Sequence, residues 1–399
     1  MRNLTTFIAI TTSVIAYILY KAIKILEIGK EVNLFNYESC KIIGDMIGPE
    51  DLRIYKNFII TGSDDRLKLF QLKGYNAENV PNGGIYAINI DNIDNYNSNN
   101  TNNEDNANNN IIEKIEIESF PDEIAFHPLG IYIKNNEIDE LYAINNAYSK
   151  GGTRIEVIQI SLNNNRIQLK YLRSLLFPAE SFSGILNSLV VFSKDEYLVT
   201  SWLPFVDPPQ GKDHSLFKFF KFLGNSLLEL ERTHVYYCKG INSDGYANCK
   251  QVENTEGIIN NGIAYDNKDT IYVADVAKKQ INVFKIINNQ LDNLKLVDNI
   301  VVGYGIDNIH YDNEKEVLYV SLIGKIKDFI DFTDEARRIG GRPMNIDLPG
   351  GGAVYDIKKK KLSFKMMQKD YYGIGSLIEF RNKYIAGSWG DTGILICDK

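Results

Sequence analysis

Ile259-Asn260-Asn261-Gly262-Ile263-Ala264-Tyr265-Asp266, followed by Thr270-Ile271-Tyr272-Val273-Ala274-Asp275, is the stretch on which the fold turns, because its form recurs. The form is a polar or small pair, a β-branched residue or Leu, a short alternating strand, a turn and a second strand. The pair and its follower read Glu50-Asp51-Leu52, Leu129-Gly130-Ile131, Asn187-Ser188-Leu189, Asn261-Gly262-Ile263, Asp307-Asn308-Ile309 and Gly375-Ser376-Leu377. Matching second strands are Phe58-Ile59-Ile60-Thr61, Leu141-Tyr142-Ala143-Ile144, Tyr197-Leu198-Val199-Thr200, Ile271-Tyr272-Val273-Ala274, Leu318-Tyr319-Val320-Ser321 and Tyr384-Ile385-Ala386-Gly387. Repeats spaced by roughly 50 to 80 residues, built of strands that cannot bury both faces alone, predict radial repetition. The expected fold is all-β, a six-bladed β-propeller.

First strands line the channel of a propeller, so Glu50, Leu129, Asn187, Asn261, Asp307 and Gly375 are expected to face one another across its axis. Together with Asn308, the ring offers hard oxygen donors and neither sulfur nor imidazole, a set suited to Ca²⁺. Asn, Asp and Gly also begin strands simply because they make turns. Repetition in register around a whole ring favours the metal.

The chain has 399 residues, 44% hydrophobic and 24% charged, enough for one large core spanning residues 35–399. Its net charge of -7 comes without a basic block, which argues against a nucleic-acid partner. Residues 1–34 hold an apolar run from Phe7 to Tyr20, preceded by Arg2 and followed by Lys21, Lys24 and Lys30. Such a run reads as a signal-peptide core or an uncleaved signal anchor. The absence of a small-x-small cleavage site favours a single-pass membrane anchor. The lysines that follow run against a lumenal domain under the positive-inside rule, whereas the cysteines favour one.

Cys40 precedes the first repeat and Cys397 lies near the C-terminus, where a propeller must join its ends. A bridge between them would staple that seam. Cys238 and Cys249 flank a Gly- and Asn-containing turn and are placed to pair locally. An even, paired set points to the secretory pathway. Residues 91–110 are Asn-rich, predicting a disordered insertion with Asn99 as a glycosylation acceptor. Residues 203–222 combine prolines with an aromatic-rich run that reads as a short helix covering the pocket, touching lipid or packing in the core.

The stretches Gly48-Pro49-Glu50-Asp51-Leu52, Phe126-His127-Pro128-Leu129-Gly130-Ile131, Asn187-Ser188-Leu189-Val190-Val191, Asn260-Asn261-Gly262-Ile263 and Ile306-Asp307-Asn308-Ile309, with the terminal cysteines, resemble the paraoxonase/arylesterase family. That resemblance implies a calcium-dependent hydrolase of lactones and aryl esters on a six-bladed propeller, with two calcium ions. It assigns Glu50, Asn187, Asn261, Asp307 and Asn308 to the catalytic calcium. It assigns Asp51, the carbonyl of Ile131 and Ser188 to a buried structural calcium, where the family usually has Asp in place of Ser188. Cys40 and Cys397 fall where the family's closing disulfide lies.

The family's histidine dyad is missing: its two positions hold Leu129 and Asn146. His127 and His310 read as packing residues, and His214 and His234 have no partner spacing. Calcium in a dry pocket would still polarise an ester carbonyl, but an imidazole to accept a proton from water is gone. Gluconolactonase-type propellers resemble this ring without a dyad, which makes Asp307 the expected base and hydrophobic lactones the expected substrates. Trp202 and Trp389, at the ends of second strands, are expected to line an apolar pocket. The competing reading is a membrane-tethered binding propeller that kept the metal and lost turnover. A strictosidine synthase-like lyase would leave the terminal cysteine pair without a purpose.

Overall fold

The computed structural model describes residues 2–69, 80–95, 111–147, 152–182, 184–206, 224–225, 228–339, 341–343 and 345–399. Among these the strands form six sheets. Blade one comprises Pro49–Tyr55, Phe58–Ser63, Gly84–Asn89 and Ile112–Ile115. Blade two comprises Pro128–Lys134, Glu140–Ala147, Gly152–Asn163 and Arg166–Leu176, with Ile117–Glu118 added in parallel at its edge. Blades three, four and five begin with Leu186–Ser193, Asn260–Tyr265 and Gly305–Asp312 and follow the same antiparallel order.

Blade six takes Ile374–Phe380, Lys383–Ser388 and Thr392–Asp398 from the end of the chain and its outer strand, Cys40–Ile47, from before blade one. Within that seam Cys40 lies opposite Cys397, and the two are disulfide-bonded. Cys238 and Cys249 are likewise cross-strand partners in blade three and form the second disulfide. Both pairings proposed from the sequence are therefore present.

Inner strands are buried along nearly their whole length, as in Phe58–Ser63, because they are sandwiched between neighbouring blades. Outer strands such as Arg166–Leu176 alternate buried and open positions, since one face meets water. The core is shared between adjacent blades: Ile60 and Ile85 of blade one pack in one cluster with Leu141 and Ile158 of blade two. First strands contact one another around the ring, which closes the channel.

An N-terminal helix forms where the apolar run predicts one, at Arg2–Leu26, and presents Phe7, Val14 and Tyr20 to solvent. Among the described residues no helix is long and apolar enough to cross a membrane, so the expected anchor gains no support from the fold. Glu27 fastens the helix end to the propeller: it accepts a 3.0 Å hydrogen bond from the Ile326 amide and pairs with Lys279 at 2.7 Å. Phe35 then bridges to Met367 in blade five.

The Asn-rich insertion starts later than Asp91, because Ile90–Asn95 is a 3₁₀ turn whose Ile93 is buried in the core of blades one and six. Asn99 lies outside the described residues, as do residues 207–223.

Replacing Cys40 and Cys397 together with Ser should lower unfolding stability by roughly 2–5 kcal/mol, because this bridge closes the longer loop. Replacing Cys238 and Cys249, which are separated by 11 residues, should cost less. Urea unfolding of the two double variants beside the parent checks the order.

Candidate metal centre

Each first strand slips register against its second strand at the recurring pair. The breaks fall between Pro49 and Leu52, Pro128 and Ile131, Leu186 and Leu189, Asn260 and Ile263, Ile306 and Ile309, and Ile374 and Ser376. A β-bulge frees residues from the ladder and re-aims their side chains. Six bulges at one height free Glu50-Asp51, Asn187-Ser188, Asn261-Gly262 and Asp307-Asn308 together.

Neighbouring first strands approach so closely there that alternate blades carry glycine. A Cβ on Gly262 would lie 2.6 Å from Asn308 Cα, and one on Gly130 would lie 2.2 Å from the Asn187 carbonyl oxygen. Hydroxyls of the second strands bind the ring from behind. Thr200 Oγ1 donates to the Asn261 carbonyl at 2.6 Å, and Ser321 Oγ donates to those of Asn308 and Gly375 at 2.8 and 3.0 Å.

Glu50 Oε2, Asn187 Oδ1, Asn261 Oδ1, Asp307 Oδ1 and Asn308 Oδ1 are all buried without a hydrogen-bond donor. Buried unsatisfied acceptors cost about 1–3 kcal/mol each. Such a cluster is tolerable if a cation completes it. Burial pushes the Asp307 carboxyl well above the usual carboxylate range, with the Glu50 charge adding to it and a hydrogen bond from the Asn261 amide opposing. Burial likewise raises Glu50, against the pull of Arg66. The set of two carboxylates and three amide oxygens fits Ca²⁺, whose six to eight oxygen ligands would be completed by water or substrate.

Arg66 escaped the sequence reading. It stands on a short helix, Arg66–Leu69, that follows the second strand of blade one, and is itself buried. Its Nε lies 3.2 Å from Glu50 Oε2, without the alignment of a hydrogen bond. Its terminal nitrogens donate to the carbonyls of Gly48, Pro128 and Trp389 at 2.7, 2.5 and 3.2 Å, joining blades six, one and two beside the ring. The same loop supplies Asp64, whose Oδ1 is 3.0 Å from His127 Nδ1, both buried. His127 is thus a packed, carboxylate-paired residue. An arginine directly after two aspartates at a strand end was the available signal.

Asp51 lies among different partners from Glu50. Its Oδ2 accepts from the Ile131 amide at 2.9 Å and lies 3.2 Å from Arg53 NH2, while His310 Nε2 is 3.3 Å from Oδ1. Ser188 is buried beside Asn187 in blade three. Leu129 packs against the core shared by blades two and three, and the backbone N–H of Asn146 donates to the His127 carbonyl at 3.1 Å.

The two tryptophans belong to different clusters. Trp202 packs between blades two and three and donates to the Gly184 carbonyl at 3.0 Å. Trp389 meets Phe329 and Phe332 of the helix Ile326–Ile339. That helix, with Leu67 and Tyr372, forms an apolar cap, beside which Phe332, Arg342, Leu348 and Tyr372 line a cavity of about 220 Å³.

Residues 31–323 match the family model described as Arylesterase. No curated protein matches the chain by sequence. Among solved structures, one titled as a candidate gluconolactonase is 12% identical over 92% of this chain and 94% of its own, with a TM-score of 0.47. A candidate 6-phosphogluconolactonase from Bacteroides fragilis is 11% identical over 88% and 85%, TM-score 0.41. The PQQ-bound aldose sugar dehydrogenase of Streptomyces coelicolor is 10% identical over 90% and 98%, TM-score 0.43.

Substituting Glu50 by Gln together with Asp307 by Asn should abolish calcium retained through dialysis. Chelation should lower the parent's Tm by roughly 3–4 °C relative to free calcium a hundredfold above Kd. The double variant's Tm should no longer respond to calcium. Metal analysis and thermal melts measure both.

Proposed function

The chain belongs to the arylesterase family, and from that premise we propose that it is a calcium-dependent hydrolase of hydrophobic lactones. The observation that carries this reading is the set of buried, donor-less oxygens on Glu50, Asn187, Asn261, Asp307 and Asn308. These residues would hold the ion. Bound there, calcium supplies electrophilic polarisation of an ester carbonyl.

The chain's own residues contribute the rest. Arg66 holds Glu50 from one side and adds a positive charge to a site that otherwise balances two carboxylates against one divalent ion. A site of net positive charge favours the negative charge that develops on the attacked carbonyl and on the carboxylate product. Asp307 is the carboxylate that would take the proton from water, with the Asn261 amide orienting it. Burial around it keeps bulk water from competing. The apolar cap of Leu67, Phe332, Tyr372 and Trp389, close to Arg66, suits a hydrophobic substrate.

Leu129 and Asn146 supply no imidazole, and this restricts the substrates. Lactones, with strained rings and electrophilic carbonyls, need less help with water activation than unactivated amides or phosphotriesters. The exposed apolar side chains of Arg2–Leu26 would lie against a membrane on the lumenal or extracellular side, the compartment that two disulfides favour.

Hydrolysis of aliphatic and aromatic lactones beside phenyl acetate, with and without chelator, tests the reading. Chelator-sensitive lactone turnover that falls at least a hundredfold in Asp307→Asn is expected, with phenyl acetate turned over slowly. Absence of turnover on every substrate, with calcium still bound, would favour a binding propeller instead. Fast phenyl acetate hydrolysis that survives in Asp307→Asn would identify another base.

A further inference from the structure

The family resemblance assigns a second, structural calcium to Asp51, the Ile131 carbonyl and Ser188, and these residues do not fit it. One side chain of the protein already engages two of those three residues, although Asp51 Oδ1 itself accepts no hydrogen bond. Arg53 Nε donates to the Ile131 carbonyl at 2.8 Å, and Arg53 NH2 lies 3.2 Å from Asp51 Oδ2. The second Asp51 oxygen faces His310 Nε2 at 3.3 Å. His310 in turn touches Arg53 through its Nδ1. Where the family usually places a second carboxylate, Ser188 brings none.

We infer that the Arg53 guanidinium, braced by His310, is the inner cation of this propeller and that the inner site takes no calcium. Charge supports the substitution. Asp51 is fully buried and carries one negative charge, which one guanidinium neutralises. A divalent ion added beside Arg53 would leave three positive charges against one negative, with Asp51 Oδ1 the one donor-less carboxylate oxygen there to coordinate it. Arginine suits the role because it stays protonated at all relevant pH, and its planar fork serves the carbonyl and the carboxylate together.

Geometry points the same way. Arg53 follows Asp51 by two residues on the first strand of blade one, and His310 follows Asp307 by three on that of blade five. Both therefore enter the channel one step farther along than the ring of Glu50 and Asp307. Asp51 of blade one, with Arg53 beside it, reaches blade five through His310 and blade two through the Ile131 amide, so three blades meet there. An inner metal ion would tie these blades together; here the chain's own cation does so. The inference does not rest on catalysis or on the outer ion.

Calcium bound per chain, measured by native mass spectrometry and metal analysis after dialysis, decides it. The parent should bind one ion, and the variant carrying Arg53→Gln with Ser188→Asp should bind one more than the parent, with a larger rise in Tm on adding calcium. Two ions in the parent would overturn the inference whether or not the variant folds. A folded variant with no gain would overturn it too. Zero ions in the parent with one in the variant would uphold it while removing the outer calcium site.

Discussion

Unpaired oxygen atoms buried in a closed channel are the constraint on which this structure depends. A propeller solves the edge problem of its sheets by closing them on one another, and the closure buries whatever the first strands carry at the centre. Here those strands carry carboxylates and amides, each with one buried oxygen that accepts no hydrogen bond from the protein. Six register breaks at one height aim them inward, and second-strand hydroxyls, Thr200 and Ser321 among them, hold the bulged backbone in place. The disulfide at Cys40 and Cys397 preserves the circle against the cost of that crowding.

Two levels of the channel solve the same electrostatic problem differently. Around Asp51 the neutralising charge is built into the sequence as Arg53. Around Glu50 and Asp307, Arg66 offsets part of the charge and leaves donor-less oxygens facing inward. A fixed guanidinium gives permanence, whereas an exchangeable ion with open coordination positions gives chemistry. The proposed chemistry is accordingly assigned to the Glu50 level, beside the apolar cap of Phe332, Tyr372 and Trp389.

The architecture was legible because its signal is redundant. A pair followed by two short strands, read six times, fixes blade number and the inward residues even where one copy, Gly375-Ser376, is degenerate. The cysteines were legible because closure demands proximity of Cys40 and Cys397. The roles of Arg66, Arg53 and the Asp64–His127 pair were not, since Arg66 reaches the Pro128 carbonyl, Arg53 the Ile131 carbonyl and Asp64 the His127 ring, all in blade two, and the repeat pattern does not encode those contacts. His310 was read as packing beside the channel and does so, but its partner Asp51 lies in another blade. Trp202 and Trp389 occupy equivalent places in their repeats, yet different neighbours draw them into separate clusters.

Anomalous diffraction from crystals of the calcium-loaded protein addresses the ring itself. One calcium peak in the channel is expected, with Glu50, Asn187, Asn261, Asp307 and Asn308 oxygens at about 2.3–2.6 Å. A channel holding only water hydrogen-bonded to those five oxygens, at a calcium concentration that saturates the protein in solution, would contradict it.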